Sequence, residues 1–433
     1  MTDQLSADAM SCVIGQTYIH TPAIDKLAEK GLRFTQAYCA HPLCVPSRTS
    51  MFTGRYPHET GVLSGGSDHD LTGFPCIGSI LGNAGYDTGY VGKWHLSYPI
   101  EDPSAHGFRF CSNNICNGAD LENFDKASLF LREQRNSPFF LVVSYNNPHN
   151  ICEWARGARG RLPDGVIKDP PALDQLPPLR LNYRPMRNEP DAISLLRRSY
   201  QASPVFPVAD FSEREWREYQ WAYYRMIECV DNHIAALLDE LESTGLSENT
   251  AIIFVSDHGD AQGAHAWNQK TVLEDESSRV PCLVSYPKRI APGVSHALIQ
   301  TGIDFIPTLC DLAGVKPLPA MHGQSMLRSA AEFGEDFERP YIVTQTRLTQ
   351  GAEIDGVIPK VDGRMVRSKQ YKYCVYDKGI RRESLVDIQT DPGECVNLAV
   401  EGEFISEVER HRHYLEEFSC AFSDPFPVIK TAK

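Results

Sequence analysis

Residues able to act as nucleophile, base or cation ligand recur in this chain, several of them at the ends of apolar runs. The first group is Cys39-Ala-His41-Pro-Leu-Cys44-Val-Pro46-Ser47-Arg48, followed by Thr53-Gly54-Arg55. Pro46 suits the first turn of a helix, where its missing N–H is no loss, and Gly54 suits a left-handed stop. The spacing predicts a loop running into a short helix with Cys44 at its N-terminus. Unpaired N–H groups and the helix dipole favour an anion there, which lowers a thiol's pKa. Three readings compete. Cys44 is a reactive nucleophile, a zinc ligand with Cys39 and His41, or an ordinary buried or disulfide-bonded cysteine. The second close ligand pair of a zinc site is absent nearby. On residue type alone, the buried cysteine is the commonest fate.

Three further groups follow predicted strands. Asp87-Thr-Gly-Tyr-Val-Gly92 ends in Lys93-Trp94-His95. The apolar run Phe139–Tyr145 ends in Asn146-Asn147-Pro148-His149, and the run Thr250–Ser256 ends in Asp257-His258-Gly259-Asp260. The carboxyl edge of a parallel sheet is where α/β proteins build their sites. Taken singly, a solvated lysine or a packed histidine is the commoner outcome. A carboxylate beside an imidazole suits a divalent cation. Lys270 comes next, in Gly263-Ala-His265-Ala-Trp-Asn268-Gln-Lys270.

Together these strings resemble the type I sulfatases of the alkaline-phosphatase-like superfamily. Cys44-Val-Pro46-Ser47-Arg48 is similar to the motif whose cysteine is oxidised after synthesis to formylglycine. Gly92-Lys93-Trp94-His95 resembles the motif whose Lys and His contact formylglycine and sulfate. Pro148-His149 resembles the segment supplying a sulfate-facing histidine, and Lys270 stands where the family has a sulfate-binding lysine. Asp257-His258 resembles the second metal motif. Many members carry Asn at the place of His258, whereas choline-sulfatase-like and phosphonate-hydrolase-like relatives carry His. Asp3-Gln4 matches the place of an acidic pair. Asp275-Glu276, Arg279-Val280-Pro281, Asp304–Gly314 and Gly323-Gln-Ser325 extend the likeness, with Leu273 replacing an aromatic residue. It runs from Asp3 to about Leu398.

The resemblance implies a catalytic set of Cys44, Arg48, Lys93, His95, His149 and Lys270. It implies one divalent cation held by Asp3, Gln4, Cys44 (as formylglycine), Asp257 and His258; Ca²⁺ suits such hard oxygen ligands. The hydrated aldehyde at position 44 would attack sulfur while Arg48 holds it. His149 or Lys270 would protonate the leaving oxygen, and His95 would assist release of sulfate. The expected reaction frees inorganic sulfate from a small-molecule or oligosaccharide sulfate ester, with a sulfated carbohydrate favoured. The formylglycine-generating enzyme is the expected partner in maturation. Two alternatives stand: a phosphonate monoester hydrolase or phosphodiesterase of the same superfamily, and an inactive sulfatase-like binding protein.

Positioning these groups calls for an α/β fold. Strands alternating with helices predict a mostly parallel central sheet sandwiched by helices, which the resemblance makes alkaline-phosphatase-like, with a small C-terminal α+β subdomain. The expected division is 1–330 for the catalytic part and 331–433 for the subdomain. Residues 152–210, rich in proline and arginine, are expected to form an irregular insertion at the site rim. There, Arg180, Arg184 and Arg187 could meet an anionic substrate or form a solvated face. Thr21–Gly31 predicts a capped helix, Leu32–Tyr38 a strand, and Phe211–Leu246 a long amphipathic helix. Arg364–Tyr376 alternates like one strand.

At 433 residues, with 42% hydrophobic and 23% charged content, the composition is that of a soluble globular protein. A net charge of −14 argues against general nucleic-acid or anionic-membrane binding, so an anionic substrate needs a local cationic pocket. No apolar run approaches a membrane span. The 13 cysteines lack paired spacing, which predicts mostly reduced, buried thiols rather than a disulfide framework. Met1-Thr-Asp3 opens on polar residues without a signal peptide. An apolar strand of six to ten residues is expected ahead of Asp3, as part of a longer gene product. As written the chain is cytoplasmic; with such a strand and an export signal it is periplasmic or secreted.

Overall fold

The computed structural model describes residues 1–66, 69–114, 120–158, 167–319, 321–329 and 339–429. Its strands are β1 (Leu32–Tyr38), β2 (Asp87–Lys93), β3 (Phe110–Asn114), β4 (Phe139–Ser144), β5 (Ile252–Val255), β6 (Cys282–Ser285), β7 (Gly293–Gln300), β8 (Tyr341–Leu348), β9 (Val361–Ser368), β10 (Tyr371–Tyr376) and β11 (Glu383–Asp387). They form three pieces, ordered β5-β6-β1-β7, β3-β2-β4 and β11-β10-β9-β8. In the first two, β2 runs parallel to β3 and β4, and β1 runs parallel to β7, while β6 is antiparallel to β1 and β5. The central sheet is thus mixed, with parallel ladders in the majority. Its apolar faces pack two helical layers. Phe52, Phe305, Ile306 and Leu309 fill one side; Leu27, Tyr223, Ile227 and Val230 fill the other.

β4 and β5 face each other across a cavity of about 920 Å³, lined by Phe139–Val143, Ile253, Val255, Phe305 and Met1 among others. At its carboxyl end the backbone of Met1–Asp3 links the two. The Thr2 N–H donates to Val255 O (3.0 Å), the Tyr145 N–H donates to Met1 O (2.9 Å), and the Met1 amino group donates to Val143 O (2.7 Å). Thr2 bridges Ser256 and Asp3 bridges Pro148, both in the parallel sense.

The long helix spans Glu213–Ser243, capped by Ser212 in a capping box with Glu215. Residues 152–210 are less irregular than the proline content suggests. They carry helices Ile151–Ala155 and Asp191–Gln201; within this stretch, residues 159–166 lie outside the described residues. Residues 364–376, expected as one strand, are instead the two antiparallel strands β9 and β10. Ser368-Lys369-Gln370 makes the turn without the glycine or proline that would have signalled it, and Ser368 Oγ donates to Tyr371 O (3.1 Å). The expected domain boundary at 330/331 also lies outside the described residues. The C-terminal sheet packs on helix Ile405–Phe422 through Val366, Tyr373, Leu385, Val408, Leu415 and Phe418.

The C-terminal sheet braces the core rather than hanging from it. β8 meets the loop before Cys44: Gln345 N–H donates to Ala40 O (2.9 Å) and Thr344 Oγ1 to Cys39 O (2.7 Å). Thr346 Oγ1 donates to Thr271 O (2.6 Å). Buried Lys372 on β10 pairs with Asp275 (3.0 Å) and Glu394 (2.7 Å). Among the described residues every cysteine is free, and no helix is long and apolar enough to cross a membrane.

Candidate active site

The helix Cys44–Thr53 begins at Cys44 and stops at Gly54 in the left-handed conformation (φ 67°). Every residue of this helix is buried, which is unusual for a segment holding Ser47, Arg48, Thr49 and Ser50. The polar side chains are there because they make bonds. Ser47 Oγ donates to Asp257 O (2.5 Å). Arg48 sends Nε to Asp257 Oδ2 (2.7 Å) and Nη2 to Asp3 Oδ2 (3.2 Å). Its Nη1 donates to Lys93 O and Ser144 Oγ, both at 2.9 Å. One guanidinium therefore ties together the ends of β2, β4 and β5, and its planar fork suits this task better than an ammonium.

Lys93 ends β2, and its Nζ lies 2.7 Å from Asp3 Oδ2. The chain reaches it through Gly92, whose φ is 96° and where a Cβ would collide with Ser144 O, so only glycine fits. His149 follows β4 and hydrogen-bonds residue 44. Lys270 Nζ lies 3.1 Å from Cys44 Sγ and donates to Gln4 Oε1 (2.8 Å). His95 stands two residues past Lys93, half-buried, with a left-handed backbone (φ 49°). Of Lys93, His95, His149 and Lys270, expected to converge on residue 44, the contacts above gather Lys93, His149 and Lys270 around it, with Arg48, Asp3, Gln4, Asp257 and His258 in the same buried cluster.

Asp3, Cys44, Asp257 and His258 each present one ligating atom within 4.8 Å of the others, all buried. His258 Nδ1 lies 2.9 Å from Gly259 O, so that nitrogen carries a hydrogen, and Nε2 lies 3.3 Å from Cys44 Sγ. Burial opposes a charge on His258 most strongly, yet Asp257 and residue 44 together outweigh it and raise its pKa. Burial likewise opposes charge on Asp3, but Lys93, His149 and Lys270 hold its carboxyl below the usual range. A cluster that favours positive charge at an imidazole between two carboxylates fits a divalent cation. In Gln4, the side-chain oxygen expected to ligate is engaged by the Lys270 ammonium.

Residue 44 sits in a positive field. Burial pushes the thiol up, but Lys270, His258 and Lys93 together bring it well below its ordinary value. Burial, then Lys270 and Lys93, push His149 down to about 3, so it is neutral near pH 7. Two buried lysines and one arginine against two carboxylates leave room for an anion, the local cationic pocket that the acidic composition requires.

Of the insertion arginines, Arg180 is spent on Asp8 (2.6 Å) and Glu276 (3.0 Å), while Arg184 and Arg187 are exposed. Sequence reasoning passed over Asp260, Tyr219 and Tyr223, which surround Gln4. Tyr219 and Tyr223 fall on the apolar stripe of the long helix and look like core; only their four-residue spacing above a polar neighbour distinguishes them.

A profile of the sulfatase family matches residues 1–315, and one for the C-terminal part of N-sulphoglucosamine sulphohydrolase matches residues 263–419. The chain is 30% identical to a Delta 4,5-hexuronate-2-O-sulfatase of Bacteroides thetaiotaomicron, over 96% of this chain and 87% of that protein. It is 25% identical to an N-acetylglucosamine-6-O-sulfatase of the same organism, over 99% and 86%. A solved 2-O GAG sulfatase superposes with a TM-score of 0.84 at 27% identity, covering 99% of this chain and 93% of that one. The phosphonate monoester hydrolase of Agrobacterium radiobacter shares the fold, with a TM-score of 0.77 at 19% identity over 97% and 94%. With the profile spanning most of its length and the site assembled at the carboxyl edge of the sheet, this chain belongs to the sulfatase family, the sulfuric ester hydrolases of the alkaline-phosphatase-like fold.

Proposed function

We propose that the chain releases sulfate from a sulfated carbohydrate, using formylglycine at position 44 and one divalent cation held by Asp3, Asp257 and His258 with residue 44. The observation that carries this reading is the pairing of Lys270 with residue 44 at 3.1 Å beside that buried ligand cluster. The sugar class is supported by the 30%-identical relative, which is named a hexuronate 2-O-sulfatase.

A sulfate monoester is an anion, and its hydrolysis needs a nucleophile, neutralised oxygens and a proton for the departing alkoxide. The hydrated aldehyde would supply the nucleophile and the cation a Lewis acid. Lys93 and Lys270 offer fixed positive charge to the sulfate oxygens in a dry site, where such charge acts most strongly. Arg48 holds Asp3 and Asp257 and is itself too enclosed by their carboxylates to leave them. His149 enters the reaction neutral because of burial and the two lysines. Arrival of an anion offsets those lysines and lifts its pKa, which lets it hold a proton for the leaving oxygen. Lys270, held charged by residue 44 and Asp3 against the cost of burial, is the other donor in reach.

The test combines a mass spectrum of the peptide containing residue 44 with a panel of 2-O- and 6-O-sulfated oligosaccharides, plus paired aryl sulfate and aryl phosphonate. Formylglycine and sulfate release from a sugar ester are expected, and Cys44→Ala should abolish turnover while leaving the fold intact. An unmodified thiol in active protein would sink the nucleophile assignment. Faster turnover of the phosphonate would favour the phosphonate hydrolase reading.

A further inference from the structure

β4 ends at Ser144, and the chain after it must turn to bring His149 to residue 44. Asn146-Asn147-Pro148 makes that turn, and all three residues are buried. Buried backbone N–H groups need acceptors. Those of Asn146 and Asn147 find theirs on one side chain: Asp120 Oδ1 accepts from the Asn146 N–H (2.7 Å) and Oδ2 from the Asn147 N–H (2.9 Å). Two successive N–H groups that converge in this way make a seat for an anion in the backbone. A carboxylate fits it because both of its oxygens accept.

Asp120 is itself buried and held. Asn123 Nδ2 donates to Oδ1 (3.1 Å), and the Asn123 N–H donates to Asp120 O (3.0 Å). Asn123 lies against Gly92, where an added Cβ would stand 3.0 Å from its Nδ2. The carboxylate thus sits between the ends of β2 and β4, the strands that lead to Lys93 and His149. Beyond the turn, the His149 N–H donates to Asn146 O (3.0 Å) and Asn146 Nδ2 donates to Asn150 Oδ1 (2.8 Å). The backbone of His149 is therefore tied to the residue that Asp120 holds. No side chain assigned to the cation takes part in any of these bonds.

We propose that Asp120 is a positioning residue: by taking the N–H groups of Asn146 and Asn147 it fixes the turn that sets His149 against the leaving oxygen of the substrate. The part played by His149 rests on the sulfatase reading above. An asparagine at 120 keeps the shape of the side chain but replaces one oxygen by an NH₂ group. One of the two backbone N–H groups then meets a donor instead of an acceptor, and the turn loses a bond on the side that leads to His149. A reacting group displaced by about 1 Å can cost on the order of 10²-fold in rate.

The test is a double-mutant cycle of Asp120→Asn and His149→Ala, read as kcat and KM on a sulfated sugar with metal content measured on the same samples. Asp120→Asn should lower kcat about tenfold with KM and metal content little changed, and His149→Ala should cost on the order of 10²-fold. The double variant should be no worse than His149→Ala alone, since both changes act through one imidazole. Asn123→Ala takes one donor from Asp120 and keeps both backbone bonds; it should show a smaller loss under the same rule, and it decides the matter if Asp120→Asn does not fold. A loss that multiplies in full with that of His149→Ala, as a merely structural role would give, or an unchanged kcat, overturns the proposal while the sulfatase reading stands. A metal-loaded wild-type protein that turns over no sulfate ester would instead sink the sulfatase reading, and this proposal with it.

Discussion

Lys270 Nζ lies 3.1 Å from Sγ of Cys44, and the segment that delivers it is strained. Gln262, His265, Ala266, Gln269 and Thr271 all have positive φ, from 50° to 78°. Thr271, β-branched at φ 78°, is the clearest outlier among them. Such conformations cost on the order of 1–3 kcal/mol each and persist only where surroundings over-determine them. Here the surroundings do: the Thr271 N–H donates to Pro42 O (2.8 Å) and its carbonyl accepts from Thr346 Oγ1 (2.6 Å). Strain in the loop and support from β8 together place an ammonium where the reaction needs it.

Lys93→Ala should cut turnover on the order of 10²-fold or more with a modest change in KM, because charge is lost where it develops. Asp3 also loses its closest cation, Nζ at 2.7 Å, so the affinity for the divalent cation should change in the same variant. Steady-state kinetics with metal content measured on the same sample checks both. Wild-type kcat in the variant would remove Lys93 from the reaction.

Arg48→Gln should destabilise the fold strongly. The guanidinium is fully buried between Asp257 and Asp3, and removing it leaves Asp257 without its closest counter-charge and Asp3 with Lys93 as its remaining close cation. Breaking buried pairs typically costs about 3–5 kcal/mol. Urea unfolding of metal-free protein should show a loss of that size, and saturating Ca²⁺ should recover part of it by mass action. A loss below about 1 kcal/mol would mean that solvent reaches the cluster after all.

Much of this is legible in the sequence. Pro46, Gly54 and Gly92 fix local geometry wherever they stand, and the apolar runs ahead of Lys93, His149 and Asp257 are long enough to declare buried strands. What stayed hidden depends on long-range packing. The turn at 369–370 is made by a serine side chain rather than by glycine. Arg180 looked free because its partners, Asp8 and Glu276, are 172 and 96 residues away. Tyr219 and Tyr223 have the pattern of core residues and are core residues; that their hydroxyls meet Asp260, Gln4 and Ser6 is a fact of tertiary contact.

Acid should weaken the fold through His41. This ring is fully buried behind the nucleophile loop and its Nε2 accepts from the Arg347 N–H (3.2 Å). Burial, then Arg364, His258 and Arg347, push it down to about 3 from 6.5. The unfolded chain binds a proton that the folded one refuses between those values. The stabilisation is therefore complete above pH 6.5 and is lost as pH falls, at up to about 1.4 kcal/mol per pH unit. His41→Gln keeps an acceptor without a titration, so its stability should fall less steeply from pH 6 to 4. Parallel slopes for the two proteins would exclude His41 as the cause.

The gap between β4 and β5 should accept a strand. β4 pairs with β2 on one edge and β5 pairs with β6, which leaves the facing edges of both open onto a cavity of about 920 Å³. Met1 enters its carboxyl end with its amino group on Val143 O. Burial, then Arg48, pull that amine down to about 5. A buried amine resists protonation, so it costs stability as pH falls from 8 towards 5. Six apolar, β-favouring residues fused ahead of Met1 would span about 20 Å, the length of β4, at roughly 3.3 Å per residue. They would pair both open edges, fill the cavity with side chains and turn the amine into an amide. The fused protein should melt higher, bind less of an apolar fluorescent dye, and lose the part of its pH dependence between 8 and 5 that the amine supplies. Six glycine–serine residues in the same place control for length, since they pair edges without filling space. If the apolar fusion leaves melting and dye binding as they were, the cavity is no strand seat, and Met1–Asp3, Arg48 and the surrounding helices suffice to hold the two halves of the sheet.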